Sequence, residues 1–168
     1  TKNLGGIGDG GFIKNNNKIK YKKILLLKNN GLARRGEVKM PGKNSRLDEI
    51  NAGILNLKLN YLKNDIKRKI KISQLYDKFI TDKVQKPDYG CCQGIVHTFH
   101  RYVIRVKKRK EFLNYLRKEK IDAKVHYEKN IHKQNKFKIY LKIKQKLTLT
   151  DSFSTNVVSL PINPFLSD

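Results

Sequence analysis

The stretch GKNSRLDEINAGILNLKL, residues 42–59, decides how the chain is read. It passes from a glycine-marked basic loop into an apolar pattern of helical period. Ser45 and Asp48 stand at capping-box spacing, where a hydroxyl can accept a first-turn amide while the carboxylate reaches back. Apolar residues then recur through Leu47, Ile50, Ile54, Leu57, Tyr61 and Leu62, and onward through Ile66, Ile70, Tyr76 and Phe79. Lys and Arg occupy the opposite face. The run is long for a globular helix and predicts either one bent helix or two in succession.

Upstream, FIKNNNKIKYKKILLLKNNG reads as a short strand at Phe12–Ile13, an Asn-rich turn and a lysine-rich helix ending at Gly31. LARRGEVKMPGKN reads as a basic loop. Downstream, TDKVQKPDYGCCQG is an irregular loop. HTFHRYVIRV alternates, with His100, Tyr102, Ile104 and Val106 on one side, which predicts a strand. KKRKEFLNYLRKEK is an amphipathic helix, IDAKVHY a second strand candidate, and VVSLPINPF a short strand closed by Pro161. A Ser/Thr stretch lies around Asp151. From about residue 95 the order has the β-α-β rhythm of a small α+β domain.

The chain opens with TKNLGGIGDGGFI, residues 1–13, which places five glycines within residues 5–11 directly after Lys2. Gly6-Ile7-Gly8-Asp9-Gly10-Gly11 satisfies GxGxxG in letters. A dinucleotide fingerprint needs a strand before it and a helix starting inside it, and FIKNNNK is no helix. A kinase glycine loop needs a VAIK-like strand and later HRD and DFG motifs, which do not occur.

The 168 residues carry 38 Lys+Arg against 14 Asp+Glu, a formal charge of +24. Such a field attracts polyanions. Lysine nevertheless outnumbers arginine and is scattered through every segment, whereas nucleic-acid readers concentrate charge on one face and favour the arginine fork. A generic basic surface is therefore preferred to a nucleic-acid interface, and an anionic small substrate is a third source of positive excess. No run approaches the roughly 18 apolar residues of a membrane span. Residues 1–20 lack the apolar centre of a signal peptide. Cys91 and Cys92 are adjacent and suit neither a disulfide framework nor a CxxC site, which suggests reduced thiols in a cytoplasmic protein. His97 and His100, three apart on a strand, face opposite ways. His126 and His132 lack a carboxylate or thiol at ligand spacing, so no metal site is expected.

Taken in order, TKNLGGIGDGGFI, GKNSRLDEINAGILNLKL, HTFHRYVIR, HYEKNIHKQ and VVSLPINPF resemble the sugar-nucleotide aminotransferases, the DegT-type branch of the fold-type I pyridoxal-phosphate enzymes. The resemblance covers essentially the whole chain and implies an α/β fold, the C-terminal part of an aspartate-aminotransferase-like architecture. Residues 1–55 would end the large cofactor-binding domain. Residues 56–168 would form the connecting helix and a small C-terminal α+β domain. By the family pattern Lys2 is the catalytic lysine that holds pyridoxal 5'-phosphate through its amine. Asn44 would contact the cofactor phosphate of the neighbouring subunit in a homodimer, with Arg46 near the cofactor or substrate. His126 and Tyr127 match the HY pair near the sugar nucleotide, and His132 and Gln134 match a later H-x-Q. Glu128 and Asn130 stand where the family usually has prolines.

The implied reaction moves an amino group, with glutamate as donor, onto a nucleotide-linked keto sugar, 3-keto favoured over 4-keto, for polysaccharide or other glycoconjugate biosynthesis. The family's acid for the pyridine nitrogen, its stacked aromatic ring and its phosphate-binding serine precede the lysine. These 168 residues are therefore expected to be an incomplete, inactive C-terminal portion. The alternatives are a small basic nucleic-acid-binding protein and a catalytically dead paralogue.

Overall fold

The computed structural model describes residues 2–89, 94–137, 140 and 145–167; Cys91 and Cys92 lie outside them. The chain divides into two compact units, Thr1–Leu62 and Lys63–Asp168.

The first unit begins with irregular backbone. Phe12 and Ile13, expected as a strand, are 91% and 72% exposed and join no sheet. A strand forms only where a neighbour takes its amides and carbonyls. Helix α1 (Lys18–Lys28) starts at Asn17, whose side-chain oxygen accepts from the amides of Ile19 and Lys20, each at 3.0 Å. At its far end Asn29 and Gly31 donate to the Leu26 carbonyl at 3.0 and 2.8 Å. Gly31 has φ +75°, and a Cβ there would lie 1.6 Å from the Met40 carbonyl oxygen, so only glycine fits.

The last carbonyls of α1 are satisfied from outside the helix. Lys43 N–H donates to Leu27 and Ser45 N–H to Lys28, both at 2.9 Å. Between them the chain makes a hairpin, β1 (Leu32–Arg34) and β2 (Glu37–Val38), turning through Gly36 at φ +84°. The basic loop expected from LARRGEVKMPGKN thus contains a hairpin.

Helix α2 is continuous from Glu49 to Phe79. It begins four residues beyond Ser45, so the expected capping box is not formed. Ser45 is committed to α1, and Asp48 instead supplies the carbonyl that accepts from Ala52 at 2.9 Å. The apolar stripe changes character along the helix. Ile50, Leu57 and Tyr61 are 74%, 60% and 57% exposed, whereas Ile70 and Tyr76 pack against a core.

That core belongs to the second unit. Strand β3 (Tyr102–Arg105) pairs antiparallel with β4 (Val157–Leu160), in register from Tyr102 opposite Leu160 to Arg105 opposite Val157. Tyr102, Ile104 and Val158 are fully buried, and Phe99 joins them. Helix α3 (Arg109–Lys118) contributes Phe112 and Leu113. The expected strand over IDAKVHY is reduced to one bridge, Lys124 with Ser159, because the Ala123 amide turns back onto the Ile121 carbonyl at 3.0 Å. The Ser/Thr stretch around Asp151 is a helix, α4 (Thr148–Asn156), running directly into β4. Tyr76 Oη donates to the Pro161 carbonyl at 2.7 Å, and Arg68 holds the Leu166 carbonyl at 2.6 Å, tying the C-terminal segment to α2.

Candidate functional site

The residues singled out in the sequence fall into two groups, one in each unit. In the first, Lys2 is exposed at the head of the glycine segment. Asn51, near the start of α2 and 4% exposed, reaches that segment from below. Its Oδ1 accepts from Ile7 N–H at 3.1 Å, and its Nδ2 donates to the Asp9 carbonyl at 3.4 Å. Lys58, two turns on along the same face, donates to the Gly5 carbonyl at 2.6 Å. Asn51 was not recognised in the sequence. The available signal was a polar residue on the stripe set by Leu47 and Ile54.

Asn44 and Arg46 lie on the segment held against the end of α1. Arg46 Nε donates to Asn44 Oδ1 at 3.0 Å, which uses the Asn44 amide oxygen and leaves its nitrogen as a donor on an exposed residue next to an exposed guanidinium. Hydrogen-bond donors beside a fixed positive charge suit a phosphate or carboxylate. Close by, a groove of about 460 Å³ is lined by Ile13, Ile24, Leu27, Pro41, Lys43 and Ser45.

In the second unit His126 Nδ1 lies 3.0 Å from Arg101 Nη1 and 2.9 Å from Ser159 Oγ. A guanidinium can only donate, so Nδ1 accepts and the proton of the neutral ring sits on Nε2. Burial, then the charges of Arg101, His100 and Lys124, hold this histidine below its usual range. Tyr127 beside it is 73% exposed.

His132 lies within a short 3₁₀ turn, Ile131–Lys133, and Gln134 follows it, but their side chains part ways. His132 Nε2 meets Asp151 Oδ1 at 2.9 Å, where Lys133 Nζ also bonds at 3.0 Å; Gln134 Nε2 instead donates to the Lys129 carbonyl at 3.3 Å. Hydrogen bonds from Lys133, Asn130 and His132 lower the Asp151 pKa. Asn130 has φ −62°, the value a proline would impose, and its amide is tethered to α4 at Thr150 O, Asp151 Oδ1 and Ser154 Oγ. These side-chain bonds fasten the loop to α4.

Among the described residues no three His, Cys, Asp or Glu side chains are grouped to hold a metal ion. No helix among them is long and apolar enough to cross a membrane.

Comparison with known proteins gives this geometry its context. The family model of the DegT/DnrJ/EryC1/StrS aminotransferase family matches residues 1–168. The chain is 35% identical to a dTDP-3-amino-3,6-dideoxy-alpha-D-galactopyranose transaminase of Aneurinibacillus thermoaerophilus, over 94% of this chain and 43% of that protein. Its structure is similar to a DegT DnrJ EryC1 StrS aminotransferase from Brucella abortus, with TM-score 0.90 and 27% identity over 99% of this chain and 44% of the other. It is also similar to S. venezuelae DesV in complex with a ketimine intermediate, with TM-score 0.87 and 26% identity over 98% and 44%. The chain thus spans less than half the length of the relatives it matches.

Proposed function

Since the chain belongs to the DegT/DnrJ/EryC1/StrS aminotransferase family, we propose that it forms the C-terminal part of a sugar-nucleotide aminotransferase. Residues 1–55 close the cofactor-binding domain, and residues 56–168 supply the connecting helix and small domain. The observation that carries this reading is the family match along all 168 residues; in this reading Lys2 is the cofactor lysine.

The donor set fits pyridoxal phosphate. An exposed primary amine at Lys2 suits an aldehyde, and the exposed Asn44 amide beside Arg46 suits a phosphate. When bound, the cofactor supplies the electron sink that lets an amino group pass from a donor, here glutamate, to a sugar keto carbon. Lys2 Nζ would hold the cofactor, and its amine would serve as the base that takes the proton from the donor's α-carbon and as the acid that delivers one to the sugar carbon receiving the amino group.

His126 Nε2–H and Tyr127 present donors to the sugar nucleotide, while His132 and Gln134 shape the loop beside it. A 3-keto deoxysugar is the favoured acceptor, in keeping with the 3-amino product that names the Aneurinibacillus relative. Homodimerisation places Asn44 on the neighbouring subunit's cofactor. The exposed apolar residues Ile50, Leu57 and Phe12 support further polypeptide covering this unit. A cytoplasmic location suits such a biosynthetic step.

The test uses the complete gene product containing this chain. With L-glutamate, 2-oxoglutarate release is expected, and Lys2→Ala should reduce it on the order of 10²–10⁴-fold. Unchanged turnover in Lys2→Ala would remove the lysine from the chemistry.

A further inference from the structure

The glycine segment behind Lys2 is fastened to α2 by one nearly buried amide. Asn51 spends both halves of its side chain on that segment, accepting from Ile7 N–H at 3.1 Å and donating to Asp9 O at 3.4 Å. The glycines make the approach possible. A Cβ on Gly6 would lie 2.2 Å from Asn51 Oδ1, and one on Gly10 would lie 2.9 Å from Leu47 Cδ1, whereas Gly8 and Gly11 border open space. Gly6 and Gly10 therefore serve contact with α2. None of the glycines in this segment has a positive φ; what Gly6 and Gly10 permit is close approach to α2. Lys58 adds a third fastening at Gly5 O, 2.6 Å away.

We infer that Asn51 is a positioning residue for Lys2, fixing the backbone from Ile7 to Asp9 so that the lysine amine is presented in one direction. The inference rests on the reading of Lys2 as the cofactor lysine. A lysine side chain has four flexible bonds, and an unfixed backbone would add its own freedom to theirs. A misplacement of about 1 Å at a reacting group costs on the order of 10²-fold in rate. The amide is required in full. A carboxylate at this position keeps the acceptor for Ile7 but sets a second acceptor against the Asp9 carbonyl.

The experiment compares the complete gene product with its Asn51→Ala and Asn51→Asp variants. Three quantities are read: amide exchange of the peptide spanning residues 2–11, the rate at which added pyridoxal phosphate becomes trappable by borohydride on Lys2, and Tm. Asn51→Ala is expected to speed exchange about tenfold or more and to slow trapping roughly 10–100-fold. The isosteric Asn51→Asp should fall between it and the wild type, and it stays informative if the alanine variant fails to fold. Exchange and trapping within about twofold of wild type in a folded variant, whatever the change in Tm, would overturn the inference alone. Wild-type protein labelled on a lysine other than Lys2 would overturn the functional reading as well.

Discussion

Replacing Tyr102 by Phe removes one oxygen from the centre of the second unit and little else. The ring is fully buried, 5.0 Å from Tyr76 and 6.3 Å from Phe99 between centroids, and phenylalanine keeps those contacts. What is lost is the hydroxyl that donates to Asp77 Oδ1 at 2.6 Å. The other Asp77 oxygen accepts from Tyr89 Oη, so the carboxylate is left with one of its two phenol donors. Hydrogen bonds to charged groups contribute about 1.5–3 kcal/mol, which sets the expected loss near 2 kcal/mol. That is about 30-fold in the folding equilibrium, or a fall in Tm of roughly 4–8 °C. The assay is urea denaturation at pH 7, read as a shift in midpoint at constant slope, together with an Asp77→Asn double-mutant cycle.

A second readout follows from the direction of the Tyr102 pKa. Burial, and then the Asp77 hydrogen bond, push its phenol far above the ordinary tyrosine range. Its contribution is present below the unfolded value of about 10 and is lost as pH rises toward the folded one. Tyr102→Phe should therefore flatten the alkaline loss of stability. A change under about 0.5 kcal/mol, or strict additivity with Asp77→Asn, would refute the role given to this hydrogen bond.

On the acid side, His126→Gln should flatten stability between pH 7 and 5. The native ring resists the proton that the unfolded chain takes up below about 6.5, so stability falls with pH there in the wild type; parallel urea midpoints for wild type and variant would contradict this. Asp151→Asn should abolish a lower step. The Lys133, Asn130 and His132 hydrogen bonds depress its pKa, so their contribution is present above about pH 4 and is lost as pH falls through the folded value. Thermal melts from pH 5 to 3 that are equally steep in the variant would exclude that network.

The parts of the fold that were legible in the sequence are those with a strong period. The apolar repeat from Ile50 to Phe79 lies on one helix, and the alternation through Tyr102 and Ile104 is a strand with those two residues inward. The alternation fails at Phe99, whose φ of +44° lets it join the core from outside the strand. Elements held by backbone bonds or by context left no such mark. The β1–β2 hairpin is polar and short, with Gly36 its one clue. Helix α4 is built from Thr and Ser, poor helix formers that tertiary context overrides. Ser45 misled because the capping spacing says nothing of another helix whose carbonyls need its amide.

At the site, single residues were not informative, and Lys2, Asn44 and Arg46 stood out only through the order of motifs. The role of Asn51 depends on a segment more than forty residues away in sequence, with Ile7 and Asn51 separated by 44 positions. No local pattern encodes that pairing beyond a polar residue on an apolar stripe.

The most direct measurement is borohydride reduction of the complete gene product in pyridoxal phosphate, followed by peptide mass spectrometry. A pyridoxyl group fixed on Lys2, and diminished when L-glutamate is added before the borohydride, is the expected result. A label on any other lysine, or none on a folded protein, would contradict the assignment of Lys2.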